Sequence, residues 1–366
     1  MAKLWRSILT ASLALGLMAG VARAAEGLDK SGKPELKSAG PLAFGPDGVL
    51  FIGDPQGAAV VAIGVEAGTP ANPRGDLKVE GIDGQLAGLL GTKAADILIN
   101  DVAVQPGTGV AYLSVSRGRG PDAEPVIATV SPGGKVALLP LDKVAWSRVS
   151  FANAPAADAK DQRGNSLRQE SITDLHFLNG RVFVAGLSNE EFASKLRSIA
   201  FPFSDSDSGA AVEIYHGAHG KFETRAPVRT FVPLNIGGEP HLLAAYTCTP
   251  LVSFPVSDLK AGAKLKGTTV AELGNRNRPL DIITYTKDGQ RYLLLANSAR
   301  GVMKISTDKI EQQEGIEKPI SGTAGLGYDT IASLKGVEHL DKLGDDYALL
   351  LVRTDSGLNQ DTIPLP

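Results

Sequence analysis

Short apolar runs separated by polar turns recur along the chain, and six stretches share one order: strand, tight turn, strand, polar loop, strand. The clearest runs Pro41–Phe44, a Pro46-Asp47-Gly48 turn, Val49–Gly53, a polar loop over 54–57, and Ala58–Ile63. The same order pairs Asp101–Val104 with Val110–Val115, Ile172–Phe177 with Arg181–Ala185, and Val228–Val232 with His241–Ala245. It returns in Leu280–Thr286, Arg291–Ala296 and Val302–Ile305, and in Val337–Leu340 with Tyr347–Val352. Turns such as Asn179-Gly180 and Asp288-Gly289 are the residues that a two-residue hairpin needs, because both central positions take positive φ. The first strands start on average about 59 residues apart, the length of a four-stranded propeller blade with loop insertions. The pattern predicts an all-β chain forming a six-bladed β-propeller of four-stranded antiparallel blades. Only 11 residues follow Asp355, room for one more strand, so an N-terminal strand from Lys33–Ser38 is expected to close the last blade. Helical signal is confined to Ser188–Arg197, where Ser188 and Glu191 have capping-box spacing, and 153–170 reads as an exposed insertion.

Residues 1–24 stand apart from this pattern. Lys3 and Arg6 give a positive start, Ile8–Val21 is a short apolar run, and Ala22-Arg23-Ala24 offers small residues for cleavage. This is the pattern of a secretory signal peptide, which leaves 25–366 as a single propeller domain in the periplasm or outside the cell. No later run is long enough to span a membrane. The whole chain carries net −3 and has no basic excess suited to nucleic acid. Its 42 glycines, about 11% against a usual ~7%, fit a turn-rich fold. With one cysteine, Cys248, no intramolecular disulfide can form, so packing must supply the stability.

The run Gly40-Pro-Leu-Ala-Phe-Gly-Pro-Asp-Gly-Val-Leu-Phe-Ile-Gly-Asp54 resembles a blade of the NHL-repeat and SMP-30/gluconolactonase-like six-bladed propellers. Asn100-Asp101, and Pro279-Leu-Asp281 eight residues before Gly289, resemble the starts of other blades of that superfamily. The resemblance implies that Asp281 is a metal-ligand aspartate and Asn100 a substrate-site asparagine. It departs from the family at Ala39, where those enzymes place a glutamate, and at Asp174, where their third blade places an asparagine.

A propeller also gives residues an address. Loops before the inner strands and loops between the second and third strands should converge on one mouth of the channel, and convergent polar loops on a rigid scaffold commonly carry function. The first set includes Asn100, Asp101, Thr173, Asp174, Arg229, Arg276, Arg278, Asp281, Glu338 and His339. The second includes Asp54, Arg117, Arg119, Ser188–Glu191, Cys248, Arg300, Arg353 and Asp355. Carboxylates from Asp101, Asp174, Asp281 and Glu338 that approach one another need a cation or an arginine between them. Oxygen donors of this kind suit Ca²⁺ or another divalent ion, with Asp174 and Asp281 as the metal and catalytic pair. The alternative is that they cap strand ends or pair with Arg276 and Arg278. Arg276, Arg278 and Arg300 suit carboxylate or phosphate groups. His216 and His219 read as a solvated turn lacking further ligands, and Cys248 as a small buried side chain or a soft-metal ligand.

Two functions fit. One is a propeller that binds a small anionic ligand or a protein partner at the channel mouth, through Asn100, Asp101, Arg276, Arg278, Arg300, Glu338 and Cys248. The other is a divalent-metal-assisted, lactonase-like hydrolase. Ala39 favours binding, because an open catalytic metal site needs a full ligand set.

Overall fold

The computed structural model describes residues 26–366 except Pro73, Asp205, Ser206 and Thr249; the expected signal peptide lies outside the described residues. Among these residues the strands form six mainly antiparallel sheets arranged as the blades of a β-propeller. The inner strands, numbered here as blades 1 to 6 in chain order, are Leu42–Phe44, Ile97–Val104, Asp174–Leu178, Val228–Ile236, Pro279–Lys287 and Val337–Leu343. Each is followed by a hairpin partner where the apolar alternation places one. Val49–Asp54 pairs with both Leu42–Phe44 and Ala59–Gly64, for example.

Blade order around the ring is not chain order. Inner-strand contacts run 1–2–6–5–4–3 and back to 1. After building three strands of blade 1, the chain lays Lys78–Val79 along the outer edge of blade 6 and then makes blade 2. It returns to place Val144–Ser150 as the fourth strand of blade 1, antiparallel to Ala59–Gly64, with Lys30–Gly32 outside it. Six apolar clusters fill the six seams of this ring. Phe51 of blade 1 packs with Leu175 and Val184 of blade 3, and Leu113 of blade 2 with Leu349 and Leu351 of blade 6.

Three local expectations change. The last blade is closed by a strand from the N-terminal third, but that strand is Lys78–Val79 and not Lys33–Ser38. The fully buried Asp54 carboxylate draws the earlier segment onto blade 1 instead, accepting the Lys37 and Ser38 N–H groups at 3.0 and 2.8 Å. Ser188–Arg197 is not helical. The Ser188 hydroxyl accepts the Glu190 N–H in a local turn, and Ser194–Ala200 is a strand that buries Lys195 and Arg197. The one α-helix among the described residues is Ile82–Leu90, which seals the outer ends of blades 2 and 6 with Ile82 and Leu86. None of the described helices is long and apolar enough to cross a membrane.

Candidate functional site

Four aspartates repeat one contact around the channel. In each, Oδ1 accepts the N–H of the following residue while Oδ2 accepts an N–H from the neighbouring blade. Asp101 takes Val102 at 2.8 Å and Leu42 at 2.7 Å; Asp174 takes Leu175 and Phe231, both at 2.7 Å. Asp281 takes Ile282 at 2.8 Å and Leu340 at 3.0 Å; Asp341 takes Lys342 at 2.6 Å and Val104 at 2.7 Å. These carboxylates therefore brace the seams 2/1, 3/4, 5/6 and 6/2. The pairing with Arg276 or Arg278 is absent from the hydrogen bonds and ion pairs of Asp281 among the described residues.

Local backbone geometry aims them inward. A bulge interrupts the inner-strand pairing in blades 2, 4, 5 and 6, and pairing resumes at Asp101, Thr230, Asp281 and His339. Asp174 takes the matching place in blade 3, opposite Ala185. The three aspartates consequently fall on alternate blades of the ring, with Thr230 and His339 between them. Burial, reinforced by the Asp174 charge, holds Asp101 well above the usual carboxylate range. Burial and then the Asp101 and Asp174 charges do the same to Asp281. Burial takes Asp174 up to about 7 and Asp341 to about 6 against their hydrogen-bond donors, and it drops His339 to about 4, so this imidazole is neutral at pH 7.

His339 Nδ1 stands 3.6 Å from Asp101 Oδ1 and 3.9 Å from Asp281 Oδ2. These separations are too long for hydrogen bonds and have the span of neighbouring ligands on one ion. The donor set is two oxygens and a nitrogen, which fits a divalent ion; the expected partner Asp174 lies outside this trio.

Two cavities open from the channel. The back one, about 640 Å³, is acidic: Asp101, Asp174, Asp281, Asp341 and Asp345 line it together with His176. The front one, about 1010 Å³, is basic: Arg119, Arg229, Arg278, Arg300, Lys335 and Arg353 surround it with Asn100, Asn297 and Glu338. Aspartates and arginines that the sequence assigns to one mouth thus open into different cavities. Arg276 and Cys248 line neither, and Arg276 holds φ 56° in an exposed loop.

Most front-face arginines are already engaged. Arg119 donates to the Ala95 and Ile97 carbonyls, Arg229 to Glu170 and Thr247, and Arg353 to Glu338 and Asp83. The Asn100 amide donates to the Ala39 carbonyl at 2.8 Å and to Ser116 Oγ at 2.9 Å, so the buried Ala39 meets Asn100 through its backbone. Arg300 uses one Nη for the Asn275 carbonyl, while its buried Nε has no acceptor. No acceptor for the Arg278 guanidinium appears among the described residues; burial and the Arg229 charge both push its pKa down.

Sequence reasoning missed Asp341, His176 and the turn of His339 toward the bore. The signal for Asp341 was present: it lies two residues after His339, so strand alternation puts both on the channel side. A scan against protein-family models matches none of them, and no curated protein sequence matches the chain.

Proposed function

We propose that this propeller acts outside the cytoplasm and binds a carboxylate- or phosphate-bearing ligand, free or displayed by a protein partner, in the front cavity. The observation that carries this reading is the pair Arg278 and Arg300. Both line a cavity roomy enough for a small molecule; the Arg278 guanidinium has no acceptor among the described residues, and Arg300 commits one Nη to the Asn275 carbonyl. The Ser298 hydroxyl beside them, which accepts the Arg278 N–H, adds a polar group that orients a ligand. Export rests on the residues 1–24 pattern of basic start, apolar run and small residues.

Calorimetric titration of the full chain with citrate and with inorganic phosphate tests it. Binding is expected to weaken by roughly tenfold or more in Arg278→Ala and in Arg300→Ala, the loss of one charge-assisted contact each, and to fall with added salt. Equal affinity in both variants and the wild type would overturn the reading.

One observation supports a second reading, a metal-assisted hydrolase in the bore: the Asp101, Asp281 and His339 grouping. There an ion would polarise a carbonyl entering from the back cavity. Mn²⁺ binding that Asp281→Asn abolishes, together with hydrolysis of a simple lactone, would favour it.

A further inference from the structure

Outside the channel, the fourth strand of blade 3, Ala210–His216, ends on the front face beside blade 4. A tight turn then folds His219 back onto His216, with ring centroids 3.8 Å apart. One carboxylate holds both rings: Glu223 Oε2 lies 3.0 Å from His216 Nδ1, and Oε1 lies 2.7 Å from His219 Nδ1. With each Nδ1 engaged, Nε2 is the nitrogen left for a ligand. His216 is only 2% exposed, not solvated, and its Nε2 has no hydrogen-bond partner. A buried imidazole nitrogen left in this way is costly unless something else fills the place.

Blade 4 supplies two more groups. A ring nitrogen of each histidine and Cys248 Sγ lie within 4.8 Å of one another. The Cys248 backbone is held there in the left-handed region, φ 64°, by its N–H bond to the Asn277 carbonyl at 2.7 Å. Glu272, 1% exposed, accepts the Gly217 N–H with Oε1, and its buried Oε2 has no partner.

We propose that His216, His219 and Cys248 bind a late first-row transition ion, zinc or copper, between blades 3 and 4. Two imidazole nitrogens and a thiolate form a borderline-soft donor set, unlike the oxygen-rich trio of the bore. Metal-ligating histidines characteristically give the other ring N–H to a carboxylate, and Glu223 does this for both rings at once. Tetrahedral zinc with sulfur and nitrogen ligands places donor atoms roughly 3.3–3.6 Å apart, so the trio, whose donors lie within 4.8 Å of one another, needs to contract by about 1.5 Å at most. Cys248 binds as thiolate, releasing its proton to solvent.

The test uses full-length protein, reduced and stripped with a chelator, then titrated with Co²⁺. One equivalent is expected to produce a thiolate-to-cobalt charge-transfer band, which Zn²⁺ bleaches by displacement and Cu²⁺ replaces with its own visible band. Cys248 is the single cysteine of the chain, so such a band reports this site and not the aspartate bore. Cys248→Ser should abolish the band with the circular dichroism unchanged, and Glu223→Gln should weaken binding about 10–100-fold. Bound metal should also shield Cys248 of the unmutated protein from a thiol reagent. Cobalt binding without the band, a band that survives His216→Ala or His219→Ala, or thiol reactivity unchanged by metal would overturn the proposal.

Discussion

Asp174 shows what each channel aspartate does and what it costs. Its carboxylate accepts the Leu175 and Phe231 N–H groups and the Thr230 hydroxyl, joining blade 3 to blade 4, yet burial still takes it up to about 7. An unfolded aspartate titrates near ~3.9, so the folded chain holds this proton more tightly than the unfolded chain. Its stabilising contribution is therefore complete below about pH 4 and is lost as the pH rises through about 7. Asp101 and Asp281, facing it across the bore, and Asp341 are shifted in the same direction and add to the slope. Melting temperature is expected to fall from about pH 5 to about pH 8. Asp174→Asn removes the titration but turns an NH2 toward one of these donors, so it should melt below the wild type at the acidic end and flatten part of that fall. Thermal melts of both proteins across this range check the sign; parallel curves would mean that Asp174 is ionised throughout.

At the scale of elements, legibility followed local chemistry. The hairpins were readable because turn residues with positive φ sit between alternating apolar runs: Asn179 and Gly180 adopt φ 49° and 76°, and Asp288 and Gly289 adopt 51° and 77°. The helix Ile82–Leu90 carried no capping signal, since its N-cap is Gly81 at φ 59° with no side-chain cap bond. At Ser188 the capping spacing was present, but pairing of Ser194–Ala200 within blade 3 outweighed it. Lys78–Val79 is too short to show any periodicity, and its place depends on Thr362, whose hydroxyl accepts the Leu77 N–H at 2.9 Å and donates to the Leu77 carbonyl at 3.3 Å. The site was legible in part for the same reason. Asp101, Asp174 and Asp281 could be placed at strand starts, but which cavity each side chain faces depends on bulges that leave no mark in the sequence. Thr362→Val keeps the volume and removes both contacts of the closing strand. It is expected to lower stability by about 1–2 kcal/mol and the melting temperature by a few degrees, measured by calorimetry. An unchanged midpoint would mean that the core around Val79 closes the ring without this contact.

Across the whole molecule, the order of the blades has consequences that composition and spacing do not reveal. In a propeller whose blades follow chain order, each sheet can form from one contiguous segment, with a single exchanged strand closing the circle. Here blade 1 stays without its fourth strand until Val144–Ser150 arrives, and the intervening chain makes blade 2 and the edge of blade 6. Loop closure across that excursion is repaid only when three blades are in place, a cost that grows with sequence separation. Asp101 to Leu42 and Asp341 to Val104 fasten the same three blades at the bore. Blades 3, 4 and 5 each draw their first three strands from contiguous chain and exchange strands only at the outer edge, where Lys264–Lys266 pairs with Ala210–His216 and Thr323–Gly325 with Thr268–Leu273, so their inner hairpins do not wait on a distant segment. Blades 1, 2 and 6 should therefore open as one cooperative unit. Hydrogen exchange read by mass spectrometry in rising, sub-denaturing urea tests this. Peptides covering 49–64, 97–117, 144–150 and 337–364 are expected to converge on one opening free energy, with the 181–200 and 279–306 hairpins following separate isotherms. If 49–64 opens at lower urea than 97–117, the interleaved connection does not couple the blades energetically, and the apolar seams alone hold the ring together.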